Sequence, residues 1–317
     1  MVVALAVVGG ALPSGADRTN PADRALDRAR EAIHDYEFRG TVELAWHDTQ
    51  GRHRETLPVV AVDGGLRVAD GRVLQHNGRS WLRTDQRWTT LWSDSRDPKA
   101  PGISAKYDIA RRRGPRIVGR TTEVLVIRHD RRVVERMAVD RETGMMLRRE
   151  RFDDSGAPTN RVEFISLEGV HRRHGVLDVP RVADTAPVRM AEPPSGSHRS
   201  LGDGFVLVDS RRLPRQETQL RYSDGVFEAS IFRRAGALDW DSLPSGGTRV
   251  TFGSVRARRY RTSVGSVLVW QSGQDTVTCV TDASGRDQAG IVTDLMPSSE
   301  SGWSRTVRFV TSPFSWK

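Results

Sequence analysis

The chain is poor in the residues that usually announce chemistry. Its 317 residues include one cysteine, Cys279, and three lysines, Lys99, Lys106 and Lys317. A lone cysteine excludes an intramolecular disulfide and a cysteine-based zinc site. Within "TVTCVTD" it alternates with Val277 on an expected strand, so it reads as a small buried hydrophobe and not as a reactive thiol. No G-x-S-x-G, H-E-x-x-H, phosphate-binding loop or C-x-x-C occurs. Serine hydrolases, zinc peptidases, nucleotide-phosphate enzymes and thiol oxidoreductases therefore have no footing here, and no cofactor or metal is expected.

What is present is arginine. All but three of the 49 basic residues are arginine, and the formal net charge is +9. Such a bias more often reflects a GC-rich genome than a binding site, although it leaves anionic partners open. Hydrophobic residues at 37 % and charged residues at 28 % allow a buried core and argue against disorder. Val2 to Leu12 forms an apolar run of the length of a signal-peptide core, too short to span a bilayer alone. Ser14, Gly15 and Ala16 supply the small residues that a signal peptidase needs. No basic residue precedes the run, so it reads as a signal peptide or as the end of a longer membrane anchor, with a merely hydrophobic N-terminus as the alternative. No cysteine follows it, which excludes a lipid-anchored lipoprotein. The mature protein is expected to be exported, periplasmic or on the outer face of a cytoplasmic membrane.

From Asn20, a plausible N-cap ahead of Pro21, the residues Ala22, Ala25, Leu26, Ala29, Ile33 and Tyr36 recur at helical spacing. Phe38, Val42, Leu44 and Trp46 then alternate with polar residues as a strand exposed on one face. Short β-like runs follow near 56–62, 66–69, 73–76, 80–83 and 88–92, broken by "DGG", "DG" and "NG" turn pairs. "TTEVLVIRHD", "RVVERMAVD" and "VDRETGMMLRRERFDDSGAPTNRVEFISL" continue the series as hairpins. Pro180, Pro187, Pro193 and Pro194 mark a linker over 178–200. A second β-rich unit with one helix, "SGRDQAGIVTDLM", occupies 201–296, and a tail without clear period fills 297–317. The segments are thus 1–19, 20–177, 178–200, 201–296 and 297–317.

Several features resemble sites and read more simply as structure. "GDGFVL" lacks the third glycine of a dinucleotide loop and precedes a strand, so it is a turn. His171 and His174 lie among arginines that oppose a cation. Asp153 and Asp154 start a calcium-like loop whose later ligands are missing. Eight arginines between Arg111 and Arg132 face only Glu123 and Asp130, but without interleaved aromatics they do not suggest nucleic acid. They read as a solvated strand face, with lipid head groups or an acidic protein segment as the functional alternative. Trp46, Trp81, Trp88 and Trp92 fall in the first meander and Trp240 in the second unit. Ordinary core packing and an apolar ligand cavity both account for them.

The order of these elements resembles the N-terminal domain of the MucB/RseB family of sigma-factor regulators. The likeness rests on an Asp-x-x-Thr-Gly turn (Asp140, Thr143, Gly144), a basic strand (Leu147, Arg148), an Asp-x-x-Gly turn (Asp153, Gly156) and a final strand with Phe164. "YSDGVFEASIFRRAG", with Tyr222, Ser223, Asp224, Gly225 and Phe227, is similar to the family's C-terminal signature. The resemblance implies an α+β fold, with an N-terminal curved antiparallel half-barrel over helices, similar to lipoprotein carriers such as LolA, and a smaller β-rich C-terminal domain. It implies an N-domain cavity that senses lipid or lipoprotein, for which Phe38, Trp46, Trp81, Trp88 and Trp92 are candidates. It also implies a C-domain that grips the extracytoplasmic part of an anti-sigma factor and shields it from regulated proteolysis in an envelope stress response.

Partner-binding candidates are Tyr222, Phe227, Arg233 and Arg234. Phe227, Ala229 and Ile231 alternate with Val226, Glu228, Ser230 and Phe232, so one face of that strand is expected to pack inward and the other to stay partly exposed. An envelope lipid or lipoprotein carrier is the second reading, and no enzyme activity is expected.

Overall fold

The structure, a computed structural model, describes residues 21–62, 65–68, 73–76, 79–84, 87–93, 106–172, 197–212, 218–262 and 265–296, the strands between 65 and 93 by their backbone alone. Among the described residues no helix is long and apolar enough to cross a membrane. Helix α1 (Pro21–Asp35) starts on proline, whose missing N–H would be unpaired in a first turn anyway. Its Ala22, Ala25, Leu26, Ala29 and Ala32 form one buried stripe, which lies against strands of the first sheet.

The chain passes directly from α1 into β1 (Tyr36–Asp48), then β2 (Gly51–Val62), β3 (Gly65–Val68), β4 (Val73–His76), β5 (Arg79–Thr84) and β6 (Arg87–Ser93). Next come β7 (Asp108–Ile117), β8 (Arg120–His129), β9 (Arg132–Asp140), β10 (Met146–Phe152) and β11 (Pro158–Arg172). Together they form one eleven-stranded sheet in the order β6-β5-β4-β3-β2-β1-β11-β10-β9-β8-β7. Two meanders therefore join along β1 and β11, where Val42 pairs with Phe164. A second sheet of eight strands has the order β12-β13-β14-β15-β19-β18-β17-β16. Its strands are β12 (Ser200–Leu201), β13 (Phe205–Arg212), β14 (Thr218–Ser223), β15 (Glu228–Ala235), β16 (Thr248–Phe252), β17 (Val255–Thr262), β18 (Gly265–Ser272) and β19 (Asp275–Thr281). Helix α2 (Gly285–Asp294) follows, with the Ser284 hydroxyl capping its first turn. The strand pairing is antiparallel, and neither sheet closes on itself.

The turns obey local chemistry. At the β9–β10 hairpin the Gly144 N–H donates to the Asp140 carbonyl at 2.9 Å, and the Thr143 hydroxyl donates to the Asp140 carboxylate at 2.7 Å. Gly144 has φ +81, a conformation that strains any residue with a Cβ, although the added Cβ would meet α1 at Arg28 and Ala32 only in ordinary van der Waals contact. At the β10–β11 turn the Asp153 carboxylate accepts N–H groups from Ser155 and Ala157, both at 3.0 Å. "GDGFVL" is the β12–β13 turn, with Gly202 and Gly204 at positive φ.

A hydrophobic cluster runs without a break from α1 and Leu125, Ile127 and Met137 of the first sheet to Phe205, Tyr222, Phe227, Leu268 and Trp270 of the second. A separate cluster, with Phe38, Val42, Leu44, Trp46 and Phe164, lies under β1, β2 and β11. The structure corrects the expectation for β15 and the turn before it. Val226 to Ile231 are all buried, Glu228 and Ser230 included, so no half-exposed face exists there. Glu228 is covered by the Arg221 guanidinium at 3.7 Å, and Asp282 takes its backbone N–H.

Leu26 is fully buried in the cluster that spans both sheets. Leu26→Ala is expected to cost about 2–5 kcal/mol in chemical denaturation. Replacement of Ile165, 52 % exposed on β11, should shift stability by no more than about 0.5 kcal/mol. Equal effects of the two substitutions would contradict the placement of the core.

Candidate functional site: the seam between the sheets

On β10, Leu147, Arg149 and Arg151 share one face, and all three are buried. The face thus turns from apolar to cationic where the second sheet meets it. Arg149 forms a two-pronged pair with Glu135 of β9, Nε to Oε1 at 2.7 Å and Nη2 to Oε2 at 2.6 Å. Arg151 reaches Asp282, just past β19, at 2.5 Å. Asp282 in turn accepts the Glu228 backbone N–H at 2.7 Å. Two guanidiniums and two carboxylates so neutralise one another inside the seam. Burial works against the charge on Arg149, but Glu135 and Asp282 outweigh it and hold its proton more firmly than usual. For Arg151 burial comes first and the neighbouring Arg149 charge adds to it, so its hold on the proton weakens.

A second latch joins the residues before β7 to the turn between β14 and β15. Asp224 is buried, and one of its oxygens receives Lys106 Nζ at 2.7 Å and the Tyr107 hydroxyl at 2.5 Å. The other oxygen receives the N–H groups of Val226 at 2.9 Å and Phe227 at 2.7 Å. Burial drives the Asp224 carboxyl above its ordinary range in spite of these donors. Burial and the Asp224 charge push the Tyr107 hydroxyl far above its ordinary range. Lys106 also touches Asp287 in the first turn of α2, at 3.1 Å. At a third point Asp154 accepts the Arg286 N–H at 3.1 Å, and Arg286 pairs with Asp130 at 2.6 Å.

Between these contacts the seam encloses a cavity of about 240 Å³. One wall comes from the end of β10 and its turn, with Phe152, Asp153 and Asp154, and the other from β17 and β18, with Arg259, Arg261 and Ser266. Arg151, Asp282, Phe227 and Gln288 also line it. The groups present are guanidiniums, carboxylates, hydroxyls and an amide, a set suited to holding a polar chain and lacking an activated nucleophile. Cys279 is fully buried in β19, and burial pushes its thiol well above the ordinary value. His129, Asp203 and Asp287 bring three potential metal ligands within 4.8 Å of one another, but the Lys106 ammonium already sits on Asp287.

The sequence-derived site residues fall into three groups. Phe38 is buried edge-on against Phe164 with centroids 5.6 Å apart, and Trp46 is buried and stacked on His53 at 5.1 Å. Both belong to the cluster under β1. Trp81 on β5 and Trp88 and Trp92 on β6 have side chains outside the described residues. Of the partner candidates, Tyr222 and Phe227 are core residues and offer no surface. Burial pushes the Tyr222 hydroxyl up to about 12, and it donates to the His198 carbonyl at 3.0 Å. Arg233 pairs with Asp275 at 3.2 Å, and Arg234 beside it is exposed. Sequence reading overlooked Glu135, Arg149, Arg151, Asp282, Arg259 and Arg261. The one available signal was phase: Arg149 and Arg151 share the register of Leu147, and Arg259 and Arg261 that of Val255 and Ala257.

Two open antiparallel sheets, held together by a buried ionic seam, make up most of the described residues. The family model described as the MucB/RseB N-terminal domain matches residues 21–182, and the chain belongs to the MucB/RseB family. Among solved structures it is similar to MucB in complex with MucA(peri), at 21 % identity and TM-score 0.47, covering 85 % of this chain and 97 % of that one. The Pseudomonas aeruginosa MucA/MucB complex gives 21 % identity and TM-score 0.46, covering 86 % and 97 %. A LolA superfamily protein from Nitrosomonas europaea gives 9 % identity and TM-score 0.21, covering 83 % and 91 %. No curated protein sequence matches the chain.

Asp224→Ala strips Lys106 of one carboxylate and leaves the Tyr107 hydroxyl and two buried N–H groups without an acceptor. A loss of about 3–5 kcal/mol in urea unfolding is expected, against the small change usual for a surface aspartate.

Asp153 gives a pH dependence. Burial is the largest single influence and raises its carboxyl pKa, but the Ser155 hydroxyl, two backbone N–H groups and the Arg261 charge together outweigh it and lower the pKa. Its stabilising contribution is therefore present above the ordinary carboxylate pKa and is lost as pH falls through the lowered value. Stability of Asp153→Asn should fall less steeply than that of the parent between about pH 5 and pH 2. Parallel curves would show that the turn does not depend on the charge.

Proposed function

We propose that this protein is an extracytoplasmic regulator of a sigma-factor pathway, which binds the outer part of an anti-sigma factor and shields it from regulated proteolysis. The observation that carries the reading is membership of the MucB/RseB family across residues 21–182. The seam agrees with it, since two sheets joined around a polar cavity offer a surface on which a partner could be clamped. In this reading residues 20–177 form a curved sensing half-barrel over its helix, 178–200 a linker and 201–296 the smaller clamp domain. The protein works on the outer face of a cytoplasmic membrane, carried there by its apolar N-terminal run. Phe38 and Trp46 border the sensing region, where lipid or lipoprotein would alter the grip on the partner.

The buried state of Tyr222 and Phe227 moves the expected contact away from those side chains and towards the seam and the exposed end of β15 at Arg234. Bound partner should be retained through apolar contacts, with the arginines speeding encounter. Immobilised full chain is expected to retain an anti-sigma factor from detergent-solubilised membranes of the source organism, identified by mass spectrometry, with retention falling as salt rises. Enrichment of lipid or lipoprotein alone would favour the carrier reading instead.

A further inference from the structure

The two sheets end in strands of different character. β7, the outer strand of the first sheet, carries Arg111, Arg112 and Arg113, but Arg111 is paired with Glu123, and a register shift at Gly114 and Pro115 breaks the edge. A bulge, and a proline with no N–H to offer, are ordinary means of blunting a strand edge. β16, the outer strand of the second sheet, has neither, and its residues from Thr248 to Phe252 pair with β17 without a shift. Gly253, at φ +58, and Ser254 close this hairpin as a two-residue turn. Such a turn makes the flanking Phe252 and Val255 a hydrogen-bonded pair. The alternation of an antiparallel ladder then directs the N–H and C=O groups of Arg249 and Thr251 away from β17. Both residues are exposed, and among the described residues nothing pairs with these main-chain groups.

The side chains on the same face carry one sign of charge. Arg249 stands directly opposite Arg258, and Arg256, opposite Thr251, is its neighbour on that face of β17. Like charges placed directly opposite one another destabilise a sheet. Among the described residues none of these three arginines is in an ion pair. Arg258 donates to the Gly247 carbonyl at 3.3 Å, while its Nε is buried without a partner. Burial raises the Tyr260 hydroxyl in spite of the Arg258 charge, so the phenol beside it supplies no anion. The opposite face of β16 differs, with Val250 and Phe252 partly buried against the core shared by the two sheets.

A chain laid along β16 would thus meet unpaired main-chain groups, cations on one face and apolar side chains on the other. The main-chain groups select a polypeptide, since a phosphate or an anionic lipid headgroup has no ladder to offer. The charge disfavours a second copy of the same edge, which would set another Arg249 and Arg258 beside the first. What fits is an extended segment in which acidic residues alternate with apolar ones. We infer that β16 is a docking edge for such a segment, which adds to the second sheet as a further antiparallel strand, its carboxylates beside Arg249 and its apolar side chains beside Val250 and Phe252. That the segment belongs to the anti-sigma partner rests on the function proposed above, while the chemistry of the edge does not.

The test uses the full chain and a fluorescein-labelled, end-blocked hexapeptide alternating glutamate and valine, followed by anisotropy. Saturable binding is expected, at least about tenfold weaker for Arg249→Gln/Arg256→Gln and for a peptide with glutamine in place of glutamate. The double variant should keep or slightly raise its melting temperature, since it removes a like-charge pair and no internal partner. Modified peptides test the edge on the parent chain as well. N-methylation at the glutamates should abolish binding, because their N–H groups face β16, and N-methylation at the valines should not. Absence of binding by the parent, equal affinity in the arginine variant, or equal effects of the two methylation patterns would overturn the inference. So would displacement of the peptide, at matched ionic strength, by inorganic phosphate or phosphatidylglycerol vesicles. Dimerisation of the full chain that Thr251→Pro abolishes would overturn it in favour of a second copy. Peptide binding of the expected kind without capture of any anti-sigma factor would leave the edge standing and the proposed function not. Capture of that factor by a chain that does not bind the peptide would do the reverse.

Discussion

Two guanidinium groups, those of Arg149 and Arg151, stand on the inner face of β10, and the way the sheets meet follows from the need to neutralise them. An isolated charge in such a place is prohibitively expensive, so carboxylates must reach it from both sides. Glu135 comes from the adjacent strand and Asp282 from the far sheet, just before α2. A slip of one residue in the β9–β10 register would turn both arginines to the opposite face and bury Arg148 and Glu150 in their place. The ion network therefore contributes less to net stability than to the uniqueness of the arrangement. It fixes which strand residues face the seam and which end of the second sheet is drawn against β10.

Once that contact is set, the remaining features fall around it. The Asp224 latch with Lys106 and Tyr107 holds the turn before β15, and the Asp154 and Asp130 contacts hold the start of α2. Apolar packing fills the space between them, in a single cluster reaching from α1 to Trp270. Beyond Phe152, Arg259 and Arg261 line the cavity together with Asp153, Asp154 and Asp282.

Much of the fold was legible because it is written in local chemistry. Pro21 and the alanine stripe mark α1, Asp140 with Thr143 and Gly144 marks one hairpin, Asp153 with Gly156 the next, and Ser284 starts α2. The seam was much less legible, since its partners are remote in sequence: Lys106 and Asp224 are 118 residues apart, and Arg151 and Asp282 are 131 apart. Alternation in β15 misled for a related reason. It predicts a solvated face only when nothing covers that face, and Glu228 is covered by Arg221 and by the loop at Asp282. Aromatic residues in "YSDGVF" suggested recognition but serve the core, because Tyr222 and Phe227 lie where the two sheets share their apolar cluster. Arginine, discounted as a compositional habit, supplies most of the seam.

The proposed function places the grip on a partner's extracytoplasmic segment at the seam. Hydrogen–deuterium exchange of the full chain, alone and with the anti-sigma domain proposed as its partner, tests this most directly. Slower exchange on binding is predicted at 153–160, at 259–262 and at the start of α2 over 284–288. Unchanged exchange at all three, with protection confined to β2–β6 or to the outer edge at β7, would contradict it.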